Sequence, residues 1–371
     1  MQRRHFLIAS SALLCAPAAI IASRELRVTK KQGSDFSPII SAASDRSGNR
    51  IGVWQADSWQ YSQPIQHRGH DSFFHRQRQE LLFFSRRPGR ELYVVDAQNG
   101  SVLHAIQSED GYHYYGHGCV SADGRYLYTT ENNIHDDGAG CIGVYDCEQN
   151  YRCIGHMDCE GIGPHDLALM PDGDTLVIAI GGIKTLPSRG RTTLNPENLA
   201  PALHYLDLSS QRVIEKVPAP HFQLSLRHLD VSPDGSVLVG AQFQGKLPSD
   251  KPLVYLHRRG QALYAMNTAE LALHFQRDYI ASVSIDDHGE WAVTSCPRDN
   301  VVCLWNMQSQ SLAQVWTVRD CAGAVYDAAY QQFILSNGDG QLLALVPGKR
   351  TLTQLAYSVG THWDNHLTLR V

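Results

Sequence analysis

Histidine is the residue whose spacing first suggests chemistry in this sequence. Five histidines each lie at the start of a short apolar run, namely His70, His117, His165, His228 and His366. Three of these segments share a fuller order of parts, as in "GPHDLALMPDGDTLVIAI": a histidine, an apolar run, an Asp-Gly turn and a second apolar run. A histidine at a fixed point of a repeat predicts that imidazoles from distant parts of the chain meet at one place.

Convergent imidazoles have three chemical uses, and the sequence leaves all three open. Neutral imidazole nitrogens ligate first-row transition metals such as iron or copper. The same rings can bind or protonate an organic or anionic ligand in a pocket. They can also be structural and hydrogen-bond the backbone of a neighbouring repeat. The metal hypothesis assigns all five histidines as ligands, with iron or copper as the candidate ion.

Other polar residues are predicted near the same place and are candidates for contacting a ligand. They are Arg86, Arg87, Glu131, Arg227, Asp364 and Asn365. An arginine or a carboxylate beside a histidine tunes its protonation or pairs with a substrate. The alternative for each of them is a salt bridge between neighbouring repeats. A long insertion at residues 185–202 is a candidate cover for the site or a partner contact.

The elements that position these residues are short strands. Apolar, β-rich runs alternate with Gly, Asp, Asn and Pro turns along the chain, which indicates an all-β protein. A strand that ends in Asp or a substitute recurs every 39 to 61 residues, at Asp57, Asp96, Asp146, Asp207, His257, Asn306 and Pro347. Seven units of this length predict a seven-bladed β-propeller with four-stranded blades.

The two ends of the chain are predicted to share one blade. The stretch "SPIISAASDRSGNRIGVWQADSWQYSQPIQ" supplies three strands near the N-terminus, and the tail "HWDNHLTLRV" supplies one. Pairing the tail with the first blade closes the ring. Since inner strands line the channel of a propeller, the five histidines are expected at one channel mouth. The sixth and seventh blades, "DYIASVSIDD" and "DCAGAVYDAA", lack a histidine there.

Residues 1–23, "MQRRHFLIASSALLCAPAAIIAS", are predicted to be a targeting segment. Arg3 and Arg4 precede an uncharged apolar run that is short for a membrane span and contains Pro17. The segment resembles a twin-arginine signal, which predicts export of the folded protein to the periplasm and no stable membrane span after its removal. An ordinary secretory signal is the alternative. Residues 24–371 are predicted to form a single propeller domain.

Composition excludes some functions. The net charge is −5 and no long block of like charge occurs, which argues against nucleic-acid binding. The common nucleotide, zinc-protease and serine-hydrolase signatures are absent. Four cysteines at six-residue steps, Cys141, Cys147, Cys153 and Cys159, are either disulfide partners in an exported protein or small buried apolar residues.

Several of these stretches together resemble the DUF1513 family, bacterial proteins of the YVTN/WD40-like propeller class. They are "RGHD", "RRPG", "YGHGCVSADGRYLYTTEN", "GIGPHDLALMPDG", "LSLRHLDVSPDG" and "HWDNHL", and they span nearly the whole mature chain. The resemblance implies twin-arginine export. It also implies genes beside imelysin-type periplasmic iron-uptake proteins and a dihaem-peroxidase-like protein, which are the expected partners. A role in iron acquisition follows from that neighbourhood.

Three functional hypotheses remain. The leading one is a non-enzymatic binding or accessory component of iron acquisition, whose histidines hold a metal or a metal complex. The second is a propeller enzyme of the lactonase, lyase or dehydrogenase kind, with a channel histidine as general base adjusted by Glu131 or Asp364. The third is an interaction scaffold in which the histidines are structural. The sequence does not decide whether the protein is an enzyme.

Overall fold

The computed structural model describes residues 35–86, 89–247, 249–268 and 278–371, together with the backbone of residues 29–30. The predicted signal segment and Arg87 lie outside the described residues. Seven sheets of four or five strands form a β-propeller, which confirms the predicted fold class. Within the described ranges the helices are three short 3-10 turns, at Cys147–Gln149, Pro187–Arg189 and Pro297–Asp299, and none is long or apolar enough to cross a membrane.

The strands follow one another blade by blade. An initial strand, β1, is Thr29–Lys30. Blade 1 contains β2 (Ile39–Asp45), β3 (Gly48–Gln55) and β4 (Ser58–Ile65). Blade 2 contains β5 (Gly69–His75), β6 (Glu80–Ser85), β7 (Glu91–Asp96) and β8 (Val102–Gln107). Blade 3 contains β9 (Tyr112–Val120), β10 (Tyr126–Asn133), β11 (Ala139–Asp146) and β12 (Arg152–Ile162).

The remaining strands complete the ring. Blade 4 contains β13 (Pro164–Leu169), β14 (Thr175–Ile180), β15 (Ala202–Asp207) and β16 (Arg212–Pro218). Blade 5 contains β17 (Leu224–Val231), β18 (Val237–Phe243), β19 (Val254–His257) and β20 (Tyr264–Ala265). Blade 6 contains β21 (Ser282–Ile285), β22 (Trp291–Cys296), β23 (Val301–Asn306) and β24 (Ser311–Thr317). Blade 7 contains β25 (Cys321–Asp327), β26 (Gln332–Asn337), β27 (Gln341–Leu345) and β28 (Thr353–Tyr357). The chain ends with β29 (His362–Trp363) and β30 (Thr368–Leu369).

The recurring Asp that marks each blade has a local physical cause. Asp96 Oδ1 accepts hydrogen bonds from the backbone N–H groups of Gln98 (2.8 Å) and Asn99 (2.9 Å). Asp207 and Asn306 accept from the backbone three residues on in the same way. This side-chain-to-backbone bonding is the mechanism by which Asp and Asn fix turns. The blade period of the sequence is therefore a period of turns.

The C-terminal tail closes the ring on blade 1, as predicted. Strand β30 pairs with β2 through Ile39 and Leu369, and β29 pairs with β2 through Ala43 and Trp363. The Trp363 ring packs edge-on against Trp54 with 5.4 Å between ring centroids. Aromatic pairs of this geometry add about 0.5–1.5 kcal/mol beyond their buried area. The tail is thus the innermost strand of blade 1.

Apolar side chains fill the space between neighbouring blades. Leu82 and Phe84 of blade 2 pack with Tyr114 and Leu127 of blade 3 in one buried cluster. Each inner strand contacts the next around the axis. The described cysteines are all free and mostly buried, so Cys141, Cys147 and Cys159 act as small apolar residues and not as disulfide partners. Only Cys153 among these eight is partly exposed.

Candidate functional site

All five predicted histidines lie together in the channel. The structure gives ring-centroid distances between 4.6 and 6.4 Å for nine pairs of these imidazoles. His70, His117, His228 and His366 are buried, and His165 is half-buried. Residues separated by up to 296 positions (366 − 70) therefore form one cluster, called the histidine ring below. Their role as metal ligands stays a prediction.

Irregular strands aim the imidazoles at the axis. The pairing of β5 with β6 shifts register between Gly69 and Ser72, where His70 lies. The pairing of β13 with β14 shifts between Pro164 and Asp166, around His165. Comparable shifts occur in β9 and β17 next to their histidines. A β-bulge changes the direction of one side chain. These imidazoles therefore depart from the regular alternation by which the other side chains of the inner strands face the neighbouring blades.

One glycine makes the close approach of two blades possible. Gly116 has a φ of +109°, a conformation that side chains with a Cβ rarely adopt. A Cβ on this residue would also lie 2.7 Å from Cδ2 of His70. Glycine therefore lets β9 pass directly beside the His70 ring, where it presents His117.

His117 is the hub of the ring. Its Nε2 lies 3.1 Å from Nε2 of His70. Its Nδ1 lies 3.1 Å from Asp71 Oδ2 and 3.3 Å from Asp166 Oδ1. Burial works against a charge on this ring, but the carboxylates of Asp166 and Asp71 prevail and raise the pKa of His117. The hydrogen bond and charge of His117 correspondingly lower the pKa of Asp71 although burial opposes this.

The other four imidazoles are held neutral. Burial, with the neighbouring histidines, keeps the pKa of His70 and His228 well below its usual range. Burial and the positive charge of Arg227 do the same to the pKa of His165. Burial lowers the pKa of His366 to about 3. Neutral imidazole is the form that donates a lone pair to a metal ion.

Four ring nitrogens are buried and make no hydrogen bond within the described protein. They are Nδ1 of His70, His165 and His228, and Nε2 of His366. Two sets of three imidazoles also bring ligand nitrogens within 4.8 Å of one another: His70 with His117 and His165, and His117 with His228 and His366. Buried polar atoms ordinarily have partners. The ring therefore has donor capacity that the protein itself does not use.

Two carboxylates that were not predicted from the sequence lie beside the ring. Asp166 Oδ2 accepts from the backbone N–H of Leu229 (3.1 Å), and Asp230 Oδ2 accepts from that of Ile285 (2.7 Å), so each joins its blade to the next. Burial raises the pKa of both acids to about 6. The available signal was an aspartate one or two positions after the histidine, as in "GHD", "PHD" and "RHLD".

Arg86 and Asp364, two of the predicted ligand contacts, lie beside the ring. Asp364 is buried and accepts a hydrogen bond from Arg68 Nε, while Arg86 Nη1 lies 3.8 Å from its other oxygen. Nδ1 of His70 is 3.9 Å from the same oxygen. Burial lowers the pKa of Arg86, and the charge of Asp364 opposes this.

Arg227 and Asn365 also lie at this mouth, with a residue that the sequence did not suggest. Tyr279, at the entry to blade 6, has its hydroxyl 3.2 Å from Nε2 of His228 and accepts a 3.4 Å bond from Asn365 Nδ2. Burial is the main cause of the low pKa values of His228 and His165, and the positive charge of Arg227, which directly precedes His228 in the chain, lowers both further. Tyr279 is the second residue of the segment "DYIASVSIDD", so the sixth blade contributes a phenol where others contribute an imidazole.

Glu131 lies in a different environment from the one expected. Its carboxylate accepts hydrogen bonds from Thr129 Oγ1 (2.6 Å) and Tyr145 (2.8 Å) and contacts His156, and no contact of the described residues joins it to the ring. Thr130 points instead towards the carbonyl of His165. Because successive side chains of a strand face opposite sides, Glu131 faces away from that blade boundary. Arg87 cannot be placed, since it lies outside the described residues.

A cavity of about 190 Å³ adjoins the ring on its carboxylate side. His117, His228 and His366 form part of its wall, with Asp166 and Asp230. Much of the remaining wall comes from inner strands β21 and β25 of blades 6 and 7, and Asp71, Leu229 and Leu367 complete it. A cavity of this size has room for a few waters or one small molecule beside three imidazoles.

Fold and site together define a seven-bladed propeller with a histidine-lined channel. A family profile described as "Protein of unknown function (DUF1513)" matches residues 63–370, so the chain belongs to this family. No curated protein matches the sequence. A solved chain of Kuenenia stuttgartiensis hydrazine synthase is similar in fold, with a TM-score of 0.62 and 13% identity over 88% of this chain and 99% of that one. At this identity the likeness concerns the fold alone.

Proposed function

We propose that the histidine ring binds a first-row transition-metal ion, iron or copper, either free or as a complex. The observation that carries the proposal is the set of four buried imidazole nitrogens without a hydrogen-bond partner among the described residues. Imidazole suits iron and copper more than the hard ions calcium and magnesium. The low pKa values of His70, His165, His228 and His366 keep these donors unprotonated at neutral pH.

The spacing of the hub nitrogens agrees with shared ligation. Nitrogens that each lie about 2.0–2.1 Å from one metal are about 2.9 Å apart at a right angle and about 3.4 Å apart at the tetrahedral angle. The Nε2 atoms of His70 and His117 are 3.1 Å apart, between these values. In the metal-free protein the same distance suits an N–H···N hydrogen bond. Asp71 and Asp166 on Nδ1 of His117 would orient that ring and raise its basicity.

The charges at the mouth favour a metal that arrives with anionic ligands. Arg68, Arg86 and Arg227 lie at the ring, and among these contacts Asp364 is the carboxylate that pairs with Arg68 and Arg86. Guanidinium groups pair well with carboxylate and phosphate oxygens. A metal chelated by such groups would meet arginines first and imidazoles second. The proposed role is that of a periplasmic accessory component of iron acquisition, with imelysin-type and dihaem-peroxidase-like proteins as partners.

Elemental analysis tests the proposal directly. The full chain is expressed with its own leader and purified from the periplasm, and its metals are quantified by mass spectrometry. About one equivalent of iron or copper per chain is expected. The double variant His117→Ala/His228→Ala should lose this metal. His288→Ala is the matched control, since the His288 side chain is 66% exposed and should leave the metal content unchanged.

Two outcomes would overturn the proposal. One is a protein without stoichiometric metal that also takes up neither copper(II) nor iron(II) in titration. The other is unchanged uptake in the double variant. Loss of thermal stability in each single His→Ala variant, without any binding defect, would instead favour a structural role and an interaction scaffold.

Export is tested separately. The double substitution Arg3→Lys/Arg4→Lys should leave the protein in the cytoplasm, because the twin-arginine route requires that pair. Cell fractionation measures the result. Normal export of this variant would favour the ordinary secretory route.

A second candidate function is general-base catalysis at His117. Its favouring observation is the pair of carboxylates on Nδ1, which raises the pKa of His117 and would orient it for proton abstraction. A small organic ligand that copurifies in place of a metal would support this candidate. In that case His117→Ala should abolish turnover of the ligand, while His366→Ala should reduce it less.

A further inference from the structure

A second cluster of metal-ligating side chains lies in blade 3, apart from the histidine ring. Cys153 and His156 belong to the outermost strand, β12, and Glu109 belongs to the connection that follows β8. The thiol, one imidazole nitrogen and one carboxylate oxygen of these residues lie within 4.8 Å of one another. None of the five ring histidines is part of this group.

His156 is held in a fixed orientation from two sides. The ring of Tyr112 stacks on it with centroids 3.6 Å apart and an interplanar angle of 7°. Its Nε2 lies 3.3 Å from Oε2 of Glu131. Glu131 is fully buried, and its other oxygen accepts hydrogen bonds from Thr129 and Tyr145. A histidine whose one nitrogen is held by a carboxylate is a recurrent partner of protein-bound zinc.

The Cys153 thiol is poorly suited to act as a nucleophile. Burial raises its pKa to about 11, with the carboxylates of Glu109 and Glu131 acting in the same direction. Reactive cysteines have a lowered pKa next to cationic groups, and this site has the opposite charge. Two carboxylates beside a thiol and an imidazole attract a cation instead. A bound cation would lower the pKa of the Cys153 thiol, since a thiol that coordinates a metal is deprotonated.

We propose that Cys153, His156 and Glu109 bind a divalent metal ion of the zinc type, and that Glu131 positions His156. Binding replaces the proton of the Cys153 thiol by a metal–sulfur bond and releases that proton to solvent. Sulfur, nitrogen and oxygen donors of this kind match zinc, and three protein ligands leave a fourth position for water or a small ligand. The partial exposure of Cys153 and the exposed Glu109 give the ion access from solvent.

Cobalt(II) titration of the full chain tests this site independently of the histidine ring. Cobalt bound to a thiolate gives a charge-transfer absorption in the near ultraviolet, whereas a site of imidazoles alone gives none. Wild-type protein should develop this band until one equivalent of cobalt is bound to the thiolate, and added zinc should remove it. Cys153→Ser should abolish the band. Cys147→Ala, which changes a buried cysteine of the same blade, should keep it.

The ring variant separates the two proposals. His117→Ala/His228→Ala should retain the cobalt–thiolate band even if all metal binding to the ring is lost, so either proposal can fail alone. Absence of the band in folded wild-type protein, or its survival in Cys153→Ser, would overturn the proposal.

Glu131→Gln tests the positioning role. The band should persist at saturating cobalt while the affinity falls about 10–100-fold, because His156 loses its carboxylate partner. Glu131→Asp should restore part of the affinity. Circular dichroism verifies that each variant is folded. A Glu131→Gln protein with wild-type cobalt affinity would remove Glu131 from the site, and loss of the band at saturation would make its role structural.

Discussion

The two sides of the channel differ in what their inner strands contribute. Blades 1 to 5 supply five imidazoles, whereas blades 6 and 7 supply a phenol and small side chains such as Ser284 and Ala324. The cavity beside the ring extends along these small residues. A histidine in the inner strand of each of these two blades would fill this space. The two blades without a histidine thus leave open space beside the ring, whereas the other five surround it with imidazoles.

Acid should affect the histidine side most strongly. His366 has a folded pKa of about 3 against an ordinary value of 6.5, so below pH 6.5 the unfolded chain binds a proton that the folded chain refuses. The unfolding free energy therefore falls as pH drops from 6.5 towards 3, by about 1.4 kcal/mol per pH unit for one such group. Urea unfolding of wild type and His366→Gln between pH 6 and 4 should show a slope smaller by about this amount in the variant. The raised pKa values of Asp166 and Asp230 act in the opposite direction in both proteins, because the folded state binds these two protons more tightly than the unfolded chain does.

The exposed His288 provides the control for this measurement, since His288→Gln should keep the wild-type slope. Equal pH slopes for wild type and His366→Gln would mean that His366 titrates normally in the folded protein, and the contrast between the two sides would lose its electrostatic basis.

Removing a carboxylate from the hub should have the next largest effect. In Asp166→Asn the side chain keeps its shape, but one of the two negative charges beside Nδ1 of His117 is lost while that of Asp71 remains. Ring affinity for copper(II) should fall about 10–100-fold, as is usual when a carboxylate that supports a metal ligand from the outer shell is lost. Titration calorimetry measures the change. Asp174→Asn, in an exposed turn, should bind as wild type does, and unchanged affinity in Asp166→Asn would contradict the hub assignment.

Added bulk on the side without histidines should weaken binding without touching a ligand. Ser284→Leu places a larger side chain in the wall of the cavity, and we expect about a tenfold loss of affinity for a chelated metal. Small-to-large changes in packed regions cost about 1–3 kcal/mol of stability, so thermal unfolding is measured in parallel. Ser101→Leu, in the exposed turn between β7 and β8, is the control. Full affinity in a folded Ser284→Leu protein would show that the cavity is not the ligand's space.

The smallest effect is expected at the border between the two sides. Tyr279→Phe removes the hydroxyl that contacts His228 and Asn365. A single neutral hydrogen bond contributes about 0.5–1.5 kcal/mol, so affinity should fall by less than about tenfold. Tyr264→Phe, at an exposed position, serves as the comparison. A loss as large as that of Asp166→Asn would make Tyr279 a ligand-contacting residue in its own right.

Much of the architecture follows from the sequence because its signals are local. An Asp or Asn at the end of a strand bonds its own backbone, so turns such as those at Asp96 and Asn306 can be recognised without knowledge of the rest of the chain. Their repetition gives the number of blades. The surplus strand in "HWDNHLTLRV" predicts closure, because a ring with an unpaired edge would be incomplete. The five histidines follow from the same repeat.

Glu131 and Tyr279 show where sequence reasoning ends. Glu131 was expected at the channel mouth, yet strand alternation directs it to His156 on the other side of its blade. Tyr279 was not expected, since only the closed ring brings blade 6 against His228. Cys153 and Glu109 likewise belong to different blade elements, and nothing in their spacing predicts that they meet.

The sequence by itself determined the period of turns, the seven blades and the histidine positions, because each depends on residues close together in the chain. It determined the closing tail because the count of strands leaves one over. Only the tertiary structure decided that His117 lies between two carboxylates, that four imidazole nitrogens remain without hydrogen bonds among the described residues, and that a cavity adjoins them. These features depend on bulges of a few residues and on burial, and burial is set only when all the blades pack around one axis.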